Sequence, residues 1–413
     1  MALAKAPDQL YRWGVGIAVI NAFLSPILQD FKLLQISEKI PAVLFYAGLP
    51  TITLLFFFSL YLRKDVSLWK LDAVECTLAF AFVWGWFWVV WYGGDPADIG
   101  GNVVRLLFAG CAYKASRLYA GDPWMRNVVP WLAKWGFWGV FWALVGLYVL
   151  GILGPFYVYL SLNSEEIYVA FAVALTLATS RRIPYSAGVF TLILLGGRRG
   201  AIVGAAAMIL AKYAMSWNAG GARWRRGVLL GIGVSVIVGS LGALQWAKSN
   251  PQVFDALPAN VKLRVLPLIL ATEGDDGPDA TTLTGKRNVE VMAVVEQWKD
   301  DPIEALTGQG YGATWAGEEG QRDSTVHFSP VALGLIYGIP IAAAIYTILL
   351  WLPGLAIWRA IKGVGDREEQ IWALVVVGLI VLTLTGFHIF QNYVLWIGLG
   401  FLRSLTLRSR AEP

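Results

Sequence analysis

The sequence predicts an all-α polytopic membrane protein with about twelve membrane-spanning helices and one large extracytoplasmic loop near residues 248–326. Three observations predict it. The composition is 57% hydrophobic and only 15% charged, against about 25% charged in a soluble domain, so there is too little polar surface to cover a globule in water. The apolar residues gather into runs of about 17–25, the length that crosses a ~30 Å hydrocarbon core. The segments between the runs alternate between basic and acidic, as the positive-inside rule demands.

In chain order the spans are expected near 10–28, 41–62, 72–92, 100–119, 128–158, 166–180, 183–197, 200–217 and 227–247, then 328–352, 370–388 and 391–405. The chain thus divides into nine helices within 1–247, the loop 248–326, and three helices with a short tail within 327–413. Leu10 to Leu28 has no small-residue cleavage site after it and reads as a retained first helix. The fifth span is long enough to tilt or to include an interfacial turn. Trp84, Trp86, Trp88 and Trp91 bunch near one helix end, and Trp131, Trp135, Trp138 and Trp142 recur at helical spacing, as indoles at a membrane interface do. Cys76 and Cys111 both lie in apolar segments, which argues against a disulfide framework or a zinc site.

One set of connecting segments carries Arg63, Lys64 and Lys70, then Arg117 and Arg126, Arg181 and Arg182, Arg223, Arg225 and Arg226, Arg359, Lys362 and Arg367, and finally Arg403, Arg408 and Arg410. The other carries Asp95 and Asp98, then Glu165 and Glu166, then the long acidic loop. The basic set, with both termini, is expected in the cytoplasm, and an even number of spans agrees. These loops account for the net charge of +5 without nucleic-acid binding.

One junction breaks the alternation. Arg198 and Arg199, within Gly196-Gly197-Arg198-Arg199-Gly200, fall on the acidic side. Two arginines can simply snorkel to headgroups, but the misplaced sign points to an anion site, with glycines letting the backbone approach a ligand. In the long loop, 248–279 looks irregular and 285–300 reads as an amphipathic helix with Val289, Met292, Val295 and Glu296 at helical spacings, capped by Thr284 and ended by Pro302. Gly308-Gln309-Gly310-Tyr311-Gly312 reads as a flexible turn and not as a phosphate loop, since it neither follows a strand nor opens a helix.

The two histidines, His327 and His388, both fall on the extracytoplasmic side, the latter followed by Gln391 and Asn392. A histidine at a helix mouth is more often structural than catalytic. Here, however, Arg198, Arg199, Lys286, Arg287 and Arg105 share that side, which makes a basic site at the membrane surface. Arginine's planar fork suits phosphate, and a lipid-linked diphosphate is the natural anion at that depth. There is no Walker motif and no histidine–carboxylate pattern with metal-ligand spacing, so no cofactor or metal is expected. Asp72 and Glu75 form the one obvious acidic pair beside the membrane, a poor basis for a proton relay.

These residues resemble the bacterial O-antigen ligases and the related O-antigen and exopolysaccharide polymerases. Arg199-Gly200-Ala201 is similar to the family's Ser-Arg-Gly segment, with Arg198 in place of the serine. Gly285-Lys286-Arg287, Trp298, Asp301-Pro302 and Gly308-Gln309-Gly310-Tyr311-Gly312 resemble its Gly-Arg…Trp…Asn-Pro…Gly-x-Gly pattern. His327 and Gly338 match the spacing of the ligase histidine motif, although Phe328 stands where ligases have Asn, Ser or Gln. The resemblance covers the span layout and about 190–340, and it implies a fold like that of the C-type glycosyltransferases of the bacterial inner membrane. It further implies a metal-independent inverting transfer at the periplasmic face from undecaprenyl-diphosphate-linked glycan to an acceptor hydroxyl, on lipid A-core for a ligase or on another lipid-linked glycan for a polymerase.

On that resemblance Arg199 and Arg287 hold the diphosphate with Arg198 assisting, and His327 is the base. Glu296 or Asp323 could be the base instead, with His327 orienting the acceptor. Lys286, Arg105, His388 and Gln391 complete the expected binding residues. Transfer onto protein hydroxyls shares the same logic. A transporter or flippase of lipid-linked glycan is the reading from a different class, and it would favour two similar halves and polar residues at the membrane midplane.

Overall fold

A computed structural model describes residues 2–30, 39–63, 70–122, 124, 127–153, 165–177, 179–195, 199–216, 287–316, 322–323, 326–384 and 388–411. The ninth expected span, the first part of the long loop, Arg198 and Lys286 lie outside these residues.

Helix follows helix: α1 (Ala2–Asp30), α2 (Lys39–Tyr61), α3 (Ala73–Tyr92), α4 (Pro96–Tyr119), α5 (Val128–Leu153), α6 (Glu166–Thr176), α7 (Thr179–Leu195) and α8 (Arg199–Met215). After the undescribed stretch come α9 (Arg287–Asp300) and α10 (Pro302–Thr307), then two paired two-residue strands, β1 (Trp315–Ala316) and β2 (Arg322–Asp323). The chain ends with α11 (Ser329–Tyr337), α12 (Ile339–Ile361), α13 (Arg367–Thr383), a 3-10 turn (Ile389–Gln391) and α14 (Tyr393–Ala411).

Several starts are set by carboxylates that satisfy amide groups with no partner inside the helix. Asp72 and Glu75 form a reciprocal capping box on α3, while Asp95 caps α4, Asp301 caps α10 and Asp366 caps α13.

Among the described residues, three helices, Ala73–Tyr92, Val128–Gly146 and Ile339–Ile361, are long and apolar enough to cross a membrane. The architecture is that of a helical membrane protein. The apolar α6 has only 11 residues, so at 1.5 Å per residue it reaches about 16 Å, half a bilayer core. The tenth expected span, 328–352, is two helices rather than one. They part at Gly338, whose φ is +84° and which packs directly under the Leu306 carbonyl.

The described members of the two sets of connecting segments lie at opposite ends of the bundle, which is packed chiefly as α1 on α2, α4 on α14, α8 on α13 and α5 on α6. At one end Arg117 bonds Asp72 at 2.8 Å and Glu75 at 3.1 Å, Arg403 lies 3.4 Å from Asp72, Arg359 bonds Glu369 at 3.0 Å, and Lys212 bonds Gln370 at 2.8 Å. At the other end sit His327, His388 and Glu165. Glu165 and Glu166, members of the acidic set of connections, are buried. The Glu165 carboxylate accepts the main-chain N–H groups of Tyr393 (3.3 Å) and Val394 (2.7 Å), capping α14 from across the bundle.

Gly308–Gly312 corrects another expectation, because it is a packed segment and not a flexible turn. The chain descends along α3 from Asp301, which lies near Tyr92, to Thr307, whose carbonyl accepts the Trp84 indole N–H at 2.8 Å. It then climbs back, so that Gly312 packs on Gly93 and Gly94. At the bottom Gly310 has φ +83°, and a Cβ there would stand 2.6 Å from the Gly85 carbonyl oxygen. Only glycine lets the two backbones approach so closely.

Candidate functional site

The site is built where α9 meets the start of α11. The inward stripe of α9 is Glu290 and Val294, both buried, with the half-buried Trp298, four residues apart and therefore on one face. Val294 is fully buried, and the Trp298 ring packs on Gly334 of α11. The expected stripe was Val289, Met292, Val295 and Glu296. Met292 is instead 52% exposed, and Val289, Met292, Ala293 and Glu296 line a shallow groove on the outer side of the helix.

Glu290 holds His327 at two points. Its Oε2 accepts the His327 main-chain N–H at 2.8 Å, and its Oε1 lies 2.8 Å from Nδ1. A carboxylate at Nδ1 favours the tautomer protonated there and leaves Nε2 with its lone pair. The His327 side chain is 46% exposed, so the ring is anchored on one edge and accessible from outside.

Two residues on, the Ser329 Oγ accepts the Ile389 N–H at 3.1 Å. That bond places the His327 and His388 segments side by side. His388 accepts the Phe390 N–H through Nδ1 at 3.4 Å, and its carbonyl accepts the Gln391 N–H at 2.8 Å. The ring lies near the Arg105 guanidinium, with its Nε2 turned inward.

Arg105 donates from Nη1 to Asn102 Oδ1 at 2.9 Å, and the Asn102 amide donates to the Tyr311 carbonyl at 2.7 Å. The guanidinium is thus held one helical turn below the packed glycine segment. No protein-family model, curated protein or solved structure matches the chain. The site's chemistry is therefore read from its own residues.

The backbones of Arg199 and Arg287 both lie at the His327 end. Arg199 opens α8, whose Ala201 carbonyl accepts the Tyr168 hydroxyl at 3.3 Å, and Tyr168 lies just after Glu165. Arg287 opens α9, one turn before Glu290. Asp323 pairs with Trp315 in the two-residue ribbon. Glu296 is six residues from Glu290, which turns it away from His327. The carboxylate that bonds His327 is Glu290.

Sequence reasoning missed Glu290, Asn102, Ser329 and Glu165. Glu290 had a readable signal, since it is a carboxylate on the stripe that also carries Val294 and Trp298. The others had none, because their partners lie far along the chain. The arrangement can accept a proton at a histidine oriented by a buried carboxylate, at the end of the bundle where two helices begin with arginine.

Proposed function

We propose that the chain is a metal-independent inverting glycosyltransferase, an O-antigen ligase or polymerase, acting at the periplasmic face of a bacterial inner membrane it crosses about twelve times. The observation that carries the reading is the His327–Glu290 pair, at the same end of the bundle as the first residues of α8 and α9. The acceptor hydroxyl attacks the anomeric carbon of undecaprenyl-diphosphate-linked glycan, and the bond from that carbon to the diphosphate oxygen breaks. The hydroxyl proton passes to His327 Nε2, with Nδ1 held by Glu290. Negative charge gathers on the departing undecaprenyl diphosphate, where Arg199 and Arg287, with Arg198 and Lys286 beside them, stabilise it. Arg105 sits deeper, along the path of the lipid chain.

The test is glycan transfer by the full chain in liposomes supplied with donor and a lipid A-core or lipid-linked acceptor. His327→Ala and Arg287→Ala, inserted normally, should each lose transfer by about 10²–10⁴-fold. Full transfer by either variant would overturn the assignment.

A further inference from the structure

Residues 301–312 are the part of the long loop that follows α3 most closely. Trp84 stands eight residues before Tyr92, the end of α3. Trp84 and Tyr92 both bond Thr307, and Gly310 packs between the Gly85 carbonyl and the Val89 amide, so at 1.5 Å per residue the segment reaches about 5–10 Å below that end. The Tyr311 hydroxyl reaches deeper still and donates to the Phe82 carbonyl at 3.0 Å. With 20 residues, α3 is about 30 Å long, just the thickness of a hydrocarbon core. A segment this far down its flank therefore cannot stand above the membrane that α3 crosses.

The outer face of that segment is apolar. Ile303 and Leu306, three residues apart on α10, are 64% and 62% exposed. Exposed apolar residues also stand on the two neighbouring spans, Val83, Phe87 and Val90 on α3 and Ile339 on α12. The backbone meets the requirement that hydrocarbon imposes, which is an internal partner for its polar groups. Asp301 Oδ1 accepts the N–H groups of Ile303 (3.0 Å) and Glu304 (3.2 Å) at the start of α10. The Glu304 main-chain carbonyl accepts the Gly308 N–H at 2.7 Å, and the Thr307 hydroxyl donates to the Ile303 carbonyl at 2.8 Å. The Gln309 and Gly310 N–H groups donate to the Leu335 and Ile336 carbonyls at 2.8 and 2.9 Å. The one carboxylate on the inner face, Glu304, accepts from Gln297 at 2.7 Å.

We propose that residues 301–312 form a re-entrant hairpin inside the leaflet at the His327 end, with Ile303 and Leu306 facing acyl chains. The occupant of this surface is lipid. The hairpin places the site's floor, from Thr307 to Gly312, below headgroup level. This rests on the membrane reading of α3 and α12 and not on glycosyl transfer.

The test uses the full chain with Cys76 and Cys111 changed to Ser, reconstituted in vesicles of phosphatidylcholine and phosphatidylglycerol. Single cysteines replace Ile303 and Leu306, with Val83→Cys as the lipid-facing reference and Asp300→Cys as the aqueous one. A charged methanethiosulfonate should react with the Ile303→Cys and Leu306→Cys variants at least about tenfold more slowly than with Asp300→Cys, because it attacks thiolate, which does not form in hydrocarbon. A bimane on either position should be quenched by doxyl lipids as it is at Val83→Cys. Reaction at the Asp300→Cys rate would overturn the proposal. So would protection without doxyl quenching, the pattern of a face covered by protein.

Discussion

The carboxylate of Glu290 takes hold of His327 twice, at the ring Nδ1 and at the main-chain N–H, both at 2.8 Å. The ring is thereby fixed relative to α9 rather than to the helix it precedes. Glu290→Gln keeps the size but weakens both charge-assisted bonds. Transfer should fall at least about tenfold, in kcat more than in KM, because the positioned ring acts in the transition state. In a His327→Ala background the same change should cost little more, since the two residues act as one unit. Additive losses in the double variant would show that Glu290 works elsewhere.

Gly310→Ala tests the packing of the hairpin on α3. The substituted residue would hold φ near +83° with its Cβ against the Gly85 carbonyl, a combined strain of about 2 kcal/mol or more. Thermal unfolding in micelles, followed by tryptophan fluorescence, should shift down, and protease cleavage within 301–316 should rise. An unchanged midpoint would contradict the close contact.

Glu165 supplies two acceptors to the start of α14, at the Tyr393 and Val394 N–H groups. Glu165→Ala leaves two buried donors without a partner and should destabilise the fold by about 1–3 kcal/mol. Glu165→Gln, which keeps one acceptor oxygen, should recover part of that loss. Equal midpoints for the two variants would argue against the cap.

Asp72 gathers α3, α4 and α14 at the opposite end. Burial pushes its carboxyl up, but hydrogen bonds from Tyr113 and the Glu75 main chain, with the charges of Arg117 and Arg403, outweigh burial and hold it below the ordinary value of 3.8. A depressed carboxyl stabilises the fold above its unfolded value and loses that contribution as pH falls through the folded one. The thermal midpoint should therefore drop as pH falls below about 4, and Asp72→Asn should flatten that drop while lowering the midpoint at pH 7. A midpoint at pH 7 equal to that of the unsubstituted protein would remove Asp72 from the cluster's support.

The sequence by itself determined the helical class, the apolar runs of the longest helices and the sign of the described connections at each end. These are local quantities, such as the apolar runs of α3 and α12, the caps at Asp72 and Asp301, and the alternation of loop charge. Each is written within a few residues of where it acts. The stripe on α9 was misplaced by one position because hydrophobic spacing alone leaves more than one face eligible, and the packing of Trp298 on α11 chose among them.

Tertiary structure alone decided what joins residues far apart in the chain. Glu290 and His327 are 37 residues apart, and Glu165 and Val394 are 229 apart. A carboxylate's partner is whichever donor the fold brings within about 3 Å, and no local period records that distance. The same holds for the glycines of 308–312. As a string they read as freedom, yet against the backbone of α3 they are the small residues that a close contact requires.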